Sequence, residues 1–453
     1  MSNKNILPKG PTGNSFLQLI KFIQKPITVF ETCRKKYGKT FTLRALGHPD
    51  AVVITDPTDI KKVFSSNTDQ LHTGELIATF LQPVFGDYSL LSLDGRKHLQ
   101  QRKLLLAPFQ GQRMKVYGDL MAKTVKKKVL SWEKKNRLTL LDEARDITFN
   151  VILSAIFGMD EENARFSALT QSLHRLIHAM STPFGFFTLI TPILHRNLSF
   201  LTPWKKITKL RAAVDACLFE EISERRKLNL DARTDILSLL LQTKDESGHP
   251  MSDQEIRDEL LTLLTAGHET SSMGIAWTFY NILSNPDVLK KLKAELAQFI
   301  KNENDLVTHL DKLVYLDAVL KESLRITPVA PYLARITKDD YPLGEYILPK
   351  GTVIFPSIYL AHRDPENWSD PDKFIPERFL NSTEKPYTYL PFGGGIRRCI
   401  GAAFAQYEMK IIIAQIMLHA ELSLIENYVP KMIRKGAVIA PSKGLPVHIK
   451  KNR

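Results

Sequence analysis

Among the 453 residues, one short run concentrates the chemistry. Cys399 lies in Pro391-Phe392-Gly393-Gly394-Gly395-Ile396-Arg397-Arg398-Cys399-Ile400-Gly401, two residues past Arg397 and just ahead of the helical run Ala402 to His419. A sulfur at a helix N-terminus among positive groups favours the thiolate, the form of cysteine that attacks electrophiles and binds metals. The bland alternatives are a small buried thiol and a simple turn or anion cradle. A nucleotide-binding loop is excluded, because no Gly-Lys-Ser/Thr follows the glycines. The other two cysteines, Cys33 and Cys217, stand far away and form no paired motif, so neither a disulfide framework nor a zinc site is indicated.

Three further groups of residues have chemically suggestive spacing. Ala266-Gly267-His268-Glu269-Thr270 places a glycine and polar side chains where helix propensity and burial both favour aliphatics, so that point of the chain needs room and protons. A His-Glu-x-x-His zinc site fails there because Ser272 stands at the second histidine position. Glu322 and Arg325, three apart, share a helix face and can pair; so do His98 and Arg102, four apart.

The elements that must carry these groups can be read from periodicity. Thr40-Phe-Thr-Leu-Arg and Ala51-Val-Val-Ile-Thr, separated by Gly47-His-Pro-Asp, read as a hairpin. From Pro57 to about Ile326 the pattern is helical, as at Asp119–Trp132, Ile147–Phe157, Ile207–Lys227 and Pro286–Ile300. Ser252-x-x-Glu255 is a capping box, and the run after it reaches the Ser284-Asn285-Pro286 stop, giving a helix of roughly 50 Å that must cross its domain. Beyond Pro328 the runs shorten, and Tyr346-Ile-Leu-Pro-Lys-Gly-Thr-Val-Ile-Phe reads as a hairpin. The expected fold is mainly α with a smaller β-rich part. No linker, repeat or low-complexity block interrupts the chain, so a single domain over 1–453 is expected, helix-rich at about 57–326 and β-rich near 38–56 and 330–450.

The spacing Phe-x-x-Gly-x-Arg-x-Cys-x-Gly, met at Phe392, Gly395, Arg397, Cys399 and Gly401, resembles the haem-ligand loop of the cytochrome P-450 haem-thiolate monooxygenases. The resemblance runs from about Pro8 to the C-terminus. It implies the P-450 fold, with a long central helix over haem b (iron protoporphyrin IX) and the Cys399 thiolate as axial ligand. It implies that Gly267 gives oxygen room to approach, while Glu269 and Thr270 are the acid and alcohol that deliver protons during dioxygen activation. Glu322 and Arg325 match the family's Glu-x-x-Arg, and Pro376-Glu377-Arg378-Phe379 is similar to the segment whose arginine joins that pair in a buried network. His98, Arg102, Arg335 and Arg397 resemble the family's haem-propionate clamp. Histidine at 98, where many members carry tryptophan, is most like soluble bacterial members.

The implied reaction is insertion of one oxygen atom from dioxygen into a hydrophobic substrate such as a fatty acid, terpenoid or steroid. The alternatives are a peroxide-using or rearranging haem-thiolate enzyme and a haem-based sensor or ligand-binding protein. The chain has no flavin- or nicotinamide-binding domain and no cysteine set for an iron–sulfur cluster, so electrons must come from a separate donor. The net charge of +14 is concentrated between Arg96 and Arg137, where thirteen Lys/Arg face only Asp119 and Glu133. That segment is read either as a solvated helix face or as the dock for an acidic ferredoxin or flavodoxin served by its reductase. Nucleic acid is not expected, since no binding motif or regular aromatic interleaving accompanies the charge. The apolar, proline-broken stretch from Ser181 to Trp204, including Phe200 and Leu201, is read as core or as a lid that admits hydrophobic ligands and touches a membrane surface. Without an apolar N-terminal run, and with three unpaired cysteines, a soluble cytoplasmic protein is expected.

Overall fold

The computed structural model describes residues 7–109, 113–158, 164–191, 193–196, 203–302, 304–380 and 385–450. The chain forms two compact units, each discontinuous in sequence. The first comprises Met1–His72, Met121–Ala144 and Thr270–Arg453, and the second comprises Thr73–Leu120 and Arg145–Glu269.

The first unit holds a five-stranded sheet in the order Thr40–Leu43, Ala51–Ile54, Val353–Pro356, Arg335–Thr337, Leu71–His72. The expected N-terminal hairpin is present, with Thr40 opposite Ile54 and Leu43 opposite Ala51. The expected hairpin over Tyr346 to Phe355 is not. Tyr346–Leu348 folds back on Tyr341–Leu343, while Val353–Pro356 runs parallel to Ala51–Ile54 and antiparallel to Arg335–Thr337. The physical reason is the two-residue turn Gly344-Glu345, where Gly344 takes φ +56°, a left-handed conformation that glycine adopts without steric penalty. Pro349 to Thr352 then redirects the chain into the large sheet. Val52, Ile54, Ile60, Phe64, Leu343, Ile354 and Leu390 form one buried cluster, so the sheet core reaches the residue that opens the cysteine segment.

The long helix spans Asp253–Leu283. Its capping box forms as expected: Glu255 Oε2 accepts the Ser252 N–H at 2.7 Å, and Ser252 Oγ accepts the Glu255 N–H at 3.2 Å. At 1.5 Å per residue, its 31 residues extend about 46 Å. Residues 256–264 and 271–279 are buried throughout. Between those two runs Ala266 and Thr270 are exposed, one turn apart on one face. No helix among the described residues is long and apolar enough to cross a membrane.

Candidate functional site

The cysteine loop is held in the first unit by backbone geometry. The Cys399 N–H donates to the Phe392 carbonyl at 2.9 Å, and the Gly393 N–H donates to the Leu390 carbonyl at 3.0 Å. Gly395 has φ +64°, and a Cβ there would fall 2.1 Å from the Phe64 carbonyl oxygen. A Cβ on Gly394 would fall 2.6 Å from the Phe64 ring. These glycines are therefore required by close approach to the end of the helix Pro57–Ser65 as well as by conformation. The helix after the loop, Ala402–His419, begins three residues past Cys399, with Gly401 as its N-cap. Cys399 itself is exposed, whereas Cys33 is buried and Cys217 half-buried. Exposure of a cysteine beside a helix start is the arrangement that chemistry needs and packing does not explain.

Arg335 is brought toward the same loop. It is buried, and its guanidinium sits 5.5 Å over the Phe64 ring, the ring that also packs on Gly394. Phe64 was not singled out in the sequence, since nothing local marks a helix-end phenylalanine as the shared support of a glycine loop and an arginine. Arg397 is half-buried and Arg398 exposed.

Glu322, Arg325 and Arg378 form the expected network. Glu322 and Arg325 lie on the helix Val314–Ile326 and are fully buried. Glu322 Oε2 accepts Arg325 Nε at 2.6 Å; Oε1 accepts Arg325 Nη2 at 2.9 Å, Arg378 Nε at 3.1 Å and the Ile375 N–H at 2.9 Å. Arg325 also donates to the carbonyls of His362, Pro371 and Lys373 at 2.7, 2.8 and 3.1 Å. The pair thus staples three chain segments.

In the second unit, His98 and Arg102 lie on the helix Gly95–Leu106, His98 buried and Arg102 half-buried. Asp94, just before that helix, accepts the N–H groups of Thr73, Gly74 and Glu75 at 3.0, 3.0 and 2.7 Å, tying its start to the helix Gly74–Phe85. Glu269 is ion-paired with Arg145, Nε to Oε1 at 3.1 Å. His268 donates from Nδ1 to the Leu264 carbonyl at 2.7 Å, and its Nε2 lies 3.9 Å from Glu269 Oε1. Burial pushes the His268 pKa down, and the Glu269 charge offsets part of that. A Cβ on Gly267 would meet Ile152 at 3.3 Å, so this glycine also lets the helix Leu140–Phe157 pack closely.

Sequence reasoning passed over two charged residues. Arg145 gives no local signal, since its partner is 124 residues away. Glu408 does: it is a carboxylate among Phe404, Met409 and Ile411 to Ile413 on the buried side of the cysteine helix. It is fully buried, and desolvation pushes its pKa up to about 8, with the Ser271 hydroxyl opposing the shift. Of the apolar stretch 181–204, Phe200 and Leu201 lie outside the described residues. The helix Pro183–Leu189 leaves Phe184 54% exposed.

Known proteins resemble this chain over nearly its whole length. Residues 8–448 match the family model described as Cytochrome P450. A Mycobacterium tuberculosis protein named cytochrome P450 135B1 is 32% identical over 448 residues, spanning 99% of this chain and 92% of its own length. A second from the same species, cytochrome P450 138, is 32% identical over 440 residues, spanning 97% of this chain and 95% of its own. Among solved structures, the cytochrome P450DA heme domain superposes with a TM-score of 0.85 at 25% identity, covering 99% of this chain and 98% of that one. A retinoic acid-bound cyanobacterial CYP120A1 superposes with a TM-score of 0.87 at 24% identity, covering 99% and 100%. With its family match running almost end to end, the chain belongs to the cytochrome P450 family of haem-thiolate monooxygenases.

Proposed function

We propose that this oxidoreductase inserts one oxygen atom from dioxygen into a hydrophobic substrate of fatty-acid, terpenoid or steroid type, with Cys399 as the thiolate ligand of haem b. The observation that carries the assignment is an exposed thiol on a loop whose glycines have no room for side chains. Within the first unit the residues fit the group, with the exposed Cys399 sulfur for the iron and the Arg335 and Arg397 guanidiniums as donors to its propionates; the resemblance adds His98 and Arg102 to that clamp. When bound, haem b supplies the dioxygen-reducing and C–H-oxidising chemistry.

The chain's own residues then have separable tasks. Cys399, its N–H tied to Phe392, holds the sulfur in one place. Thr270 presents its hydroxyl on the accessible face of the long helix and positions a proton. Glu269, with a side chain 18% exposed, takes protons up from solvent and passes them inward. Arg145 fixes the orientation of that carboxylate. The Glu322, Arg325 and Arg378 network holds the segments from which the cysteine loop departs. The whole of 1–453 acts in this reading as one catalytic module.

The substrate class rests on the exposed Phe184 and the apolar residues around it, which we read as a lid that admits hydrophobic ligands and can rest on a membrane surface. Electrons come from a separate acidic ferredoxin or flavodoxin with its reductase, in the cytoplasm. Exposed Lys123, Lys127, Lys134 and Arg137 support such a dock.

The test is turnover of candidate substrates under labelled dioxygen with a ferredoxin and reductase. Label in the product at one atom per dioxygen consumed is expected, with transfer that weakens as ionic strength rises. Product formed equally well from peroxide without a donor would favour the peroxide-using reading; absence of product with every donor would favour the sensor.

A further inference from the structure

The helix Val314–Ile326 and the cysteine segment are joined by a histidine to which nothing in the function so far gives a role. His362 follows the short helix Ile358–Ala361 and is completely buried. Its Nε2 accepts the Leu390 N–H at 2.7 Å. A backbone N–H can only donate, so Nε2 carries no proton and the imidazole is neutral. Its Nδ1, 3.1 Å from the Arg325 carbonyl, must then carry the hydrogen and donate it. The arrangement is reciprocal, because the Arg325 guanidinium donates to the His362 carbonyl at 2.7 Å. The ring stacks on Tyr389 at 5.5 Å and 21°, and the Tyr389 hydroxyl donates to the Lys321 carbonyl at 3.0 Å. Residues 389 and 390 are thereby hung from the Glu322–Arg325 helix at two points. From Leu390 the connection continues through the Gly393 N–H to the Leu390 carbonyl, and through the Cys399 N–H to the Phe392 carbonyl.

We infer that His362, as the Nδ1–H tautomer, is a positioning residue for Cys399: it transmits the geometry of the buried Glu322–Arg325 pair to the start of the cysteine loop. The inference rests on Cys399 being the haem ligand. Only a group that donates at one end and accepts at the other, across the width of an imidazole, satisfies both buried backbone atoms. Leucine satisfies neither. Glutamine can place an amide oxygen near the Nε2 position and accept from Leu390. Asparagine reaches only as far as the Nδ1 position and satisfies Arg325 alone.

The experiment compares the haem-loaded parent with His362→Leu, His362→Gln and His362→Asn. It reads the thiolate-type fraction of the reduced, carbon-monoxide-bound spectrum, the rate of haem transfer to apomyoglobin, and the far-ultraviolet thermal melt. The expected order of thiolate-type fraction is parent, then Gln, then Asn and Leu, with a loss of severalfold between Gln and Asn that the melts do not parallel. Should the leucine variant fail to fold, the Gln against Asn comparison decides alone. Equal thiolate fractions and haem transfer rates for Gln and Asn would overturn the inference, as would a folded leucine variant matching the parent. A parent lacking the thiolate-type spectrum would instead overturn the function reading, and this inference with it.

Discussion

Replacing Arg325 with lysine tests how the buried network works, because every hydrogen on this guanidinium has an acceptor. Two of its five N–H bonds go to Glu322 and three to the carbonyls of His362, Pro371 and Lys373, all between 2.6 and 3.1 Å. Lysine keeps the charge but offers three donors, so at least two of these five charge-assisted bonds are lost, even though Glu322 Oε1 keeps the Ile375 N–H and Arg378. At about 1–3 kcal/mol for each such bond lost, the segment should be destabilised by about 2–6 kcal/mol. The assay is native-state hydrogen exchange at the Ile375 amide, which donates to Glu322 at 2.9 Å and reports local opening of this staple. At 1.4 kcal/mol per factor of ten, Arg325→Lys should speed its exchange by roughly thirtyfold or more. Arg378→Ala removes one bond to Glu322 from a side chain that is 10% exposed, and should have the smaller effect. Exchange within about threefold of the parent in Arg325→Lys, or a larger effect from Arg378, would refute the donor-counting argument.

Other consequences concern pH and backbone. Burial and the neighbouring Arg325 and Arg363 charges hold the His362 pKa down at about 3, against 6.5 for an ordinary histidine. The unfolded chain therefore binds the proton first, so stability should fall as pH drops from 6.5 toward 3, by about 1.4 kcal/mol per unit from this group. Urea melts of His362→Gln should lose that part of the slope. Glu408 works in the opposite direction: with its pKa raised to about 8 from 4.5, the unfolded chain releases the proton first, and stability falls as pH rises through that window. Glu408→Gln should flatten the slope between pH 4.5 and about 8 whatever its constant offset, and an unchanged slope would contradict the buried neutral carboxyl. Gly395→Ala places a methyl 2.1 Å from the Phe64 carbonyl on a backbone at φ +64°. It should displace the loop and lower the haem-to-protein ratio on purification severalfold; a full complement of haem would show that the loop can move aside.

Local signals were readable in the sequence. The Ser252–Glu255 box starts the long helix because both partners lie within one turn. The i,i+3 spacing of Glu322 and Arg325 pairs them on the helix they share. The thiol loop was visible because its glycines and cysteine are fixed within eleven residues. Relations formed across the chain were not visible. His362 meets Leu390 over 28 residues, Phe64 supports a loop some 330 residues later, and Arg145 finds Glu269 at a distance of 124. The mistaken hairpin at Tyr346 has the same origin: two adjacent β-like runs were paired by proximity, when the tighter Gly344-Glu345 turn and the parallel place beside Ala51–Ile54 decide the pairing. Glu408 could have been found, since a carboxylate among isoleucines on a helix face contradicts the pattern around it.

The central claim is that Cys399 supplies the thiolate, and the most direct measurement is the reduced, carbon-monoxide-bound spectrum of the purified parent beside Cys399→Ser. The account predicts a thiolate-type band in the parent that is absent from the serine variant, with the helical content of the two proteins alike. A thiolate-type band that survives in Cys399→Ser would contradict it.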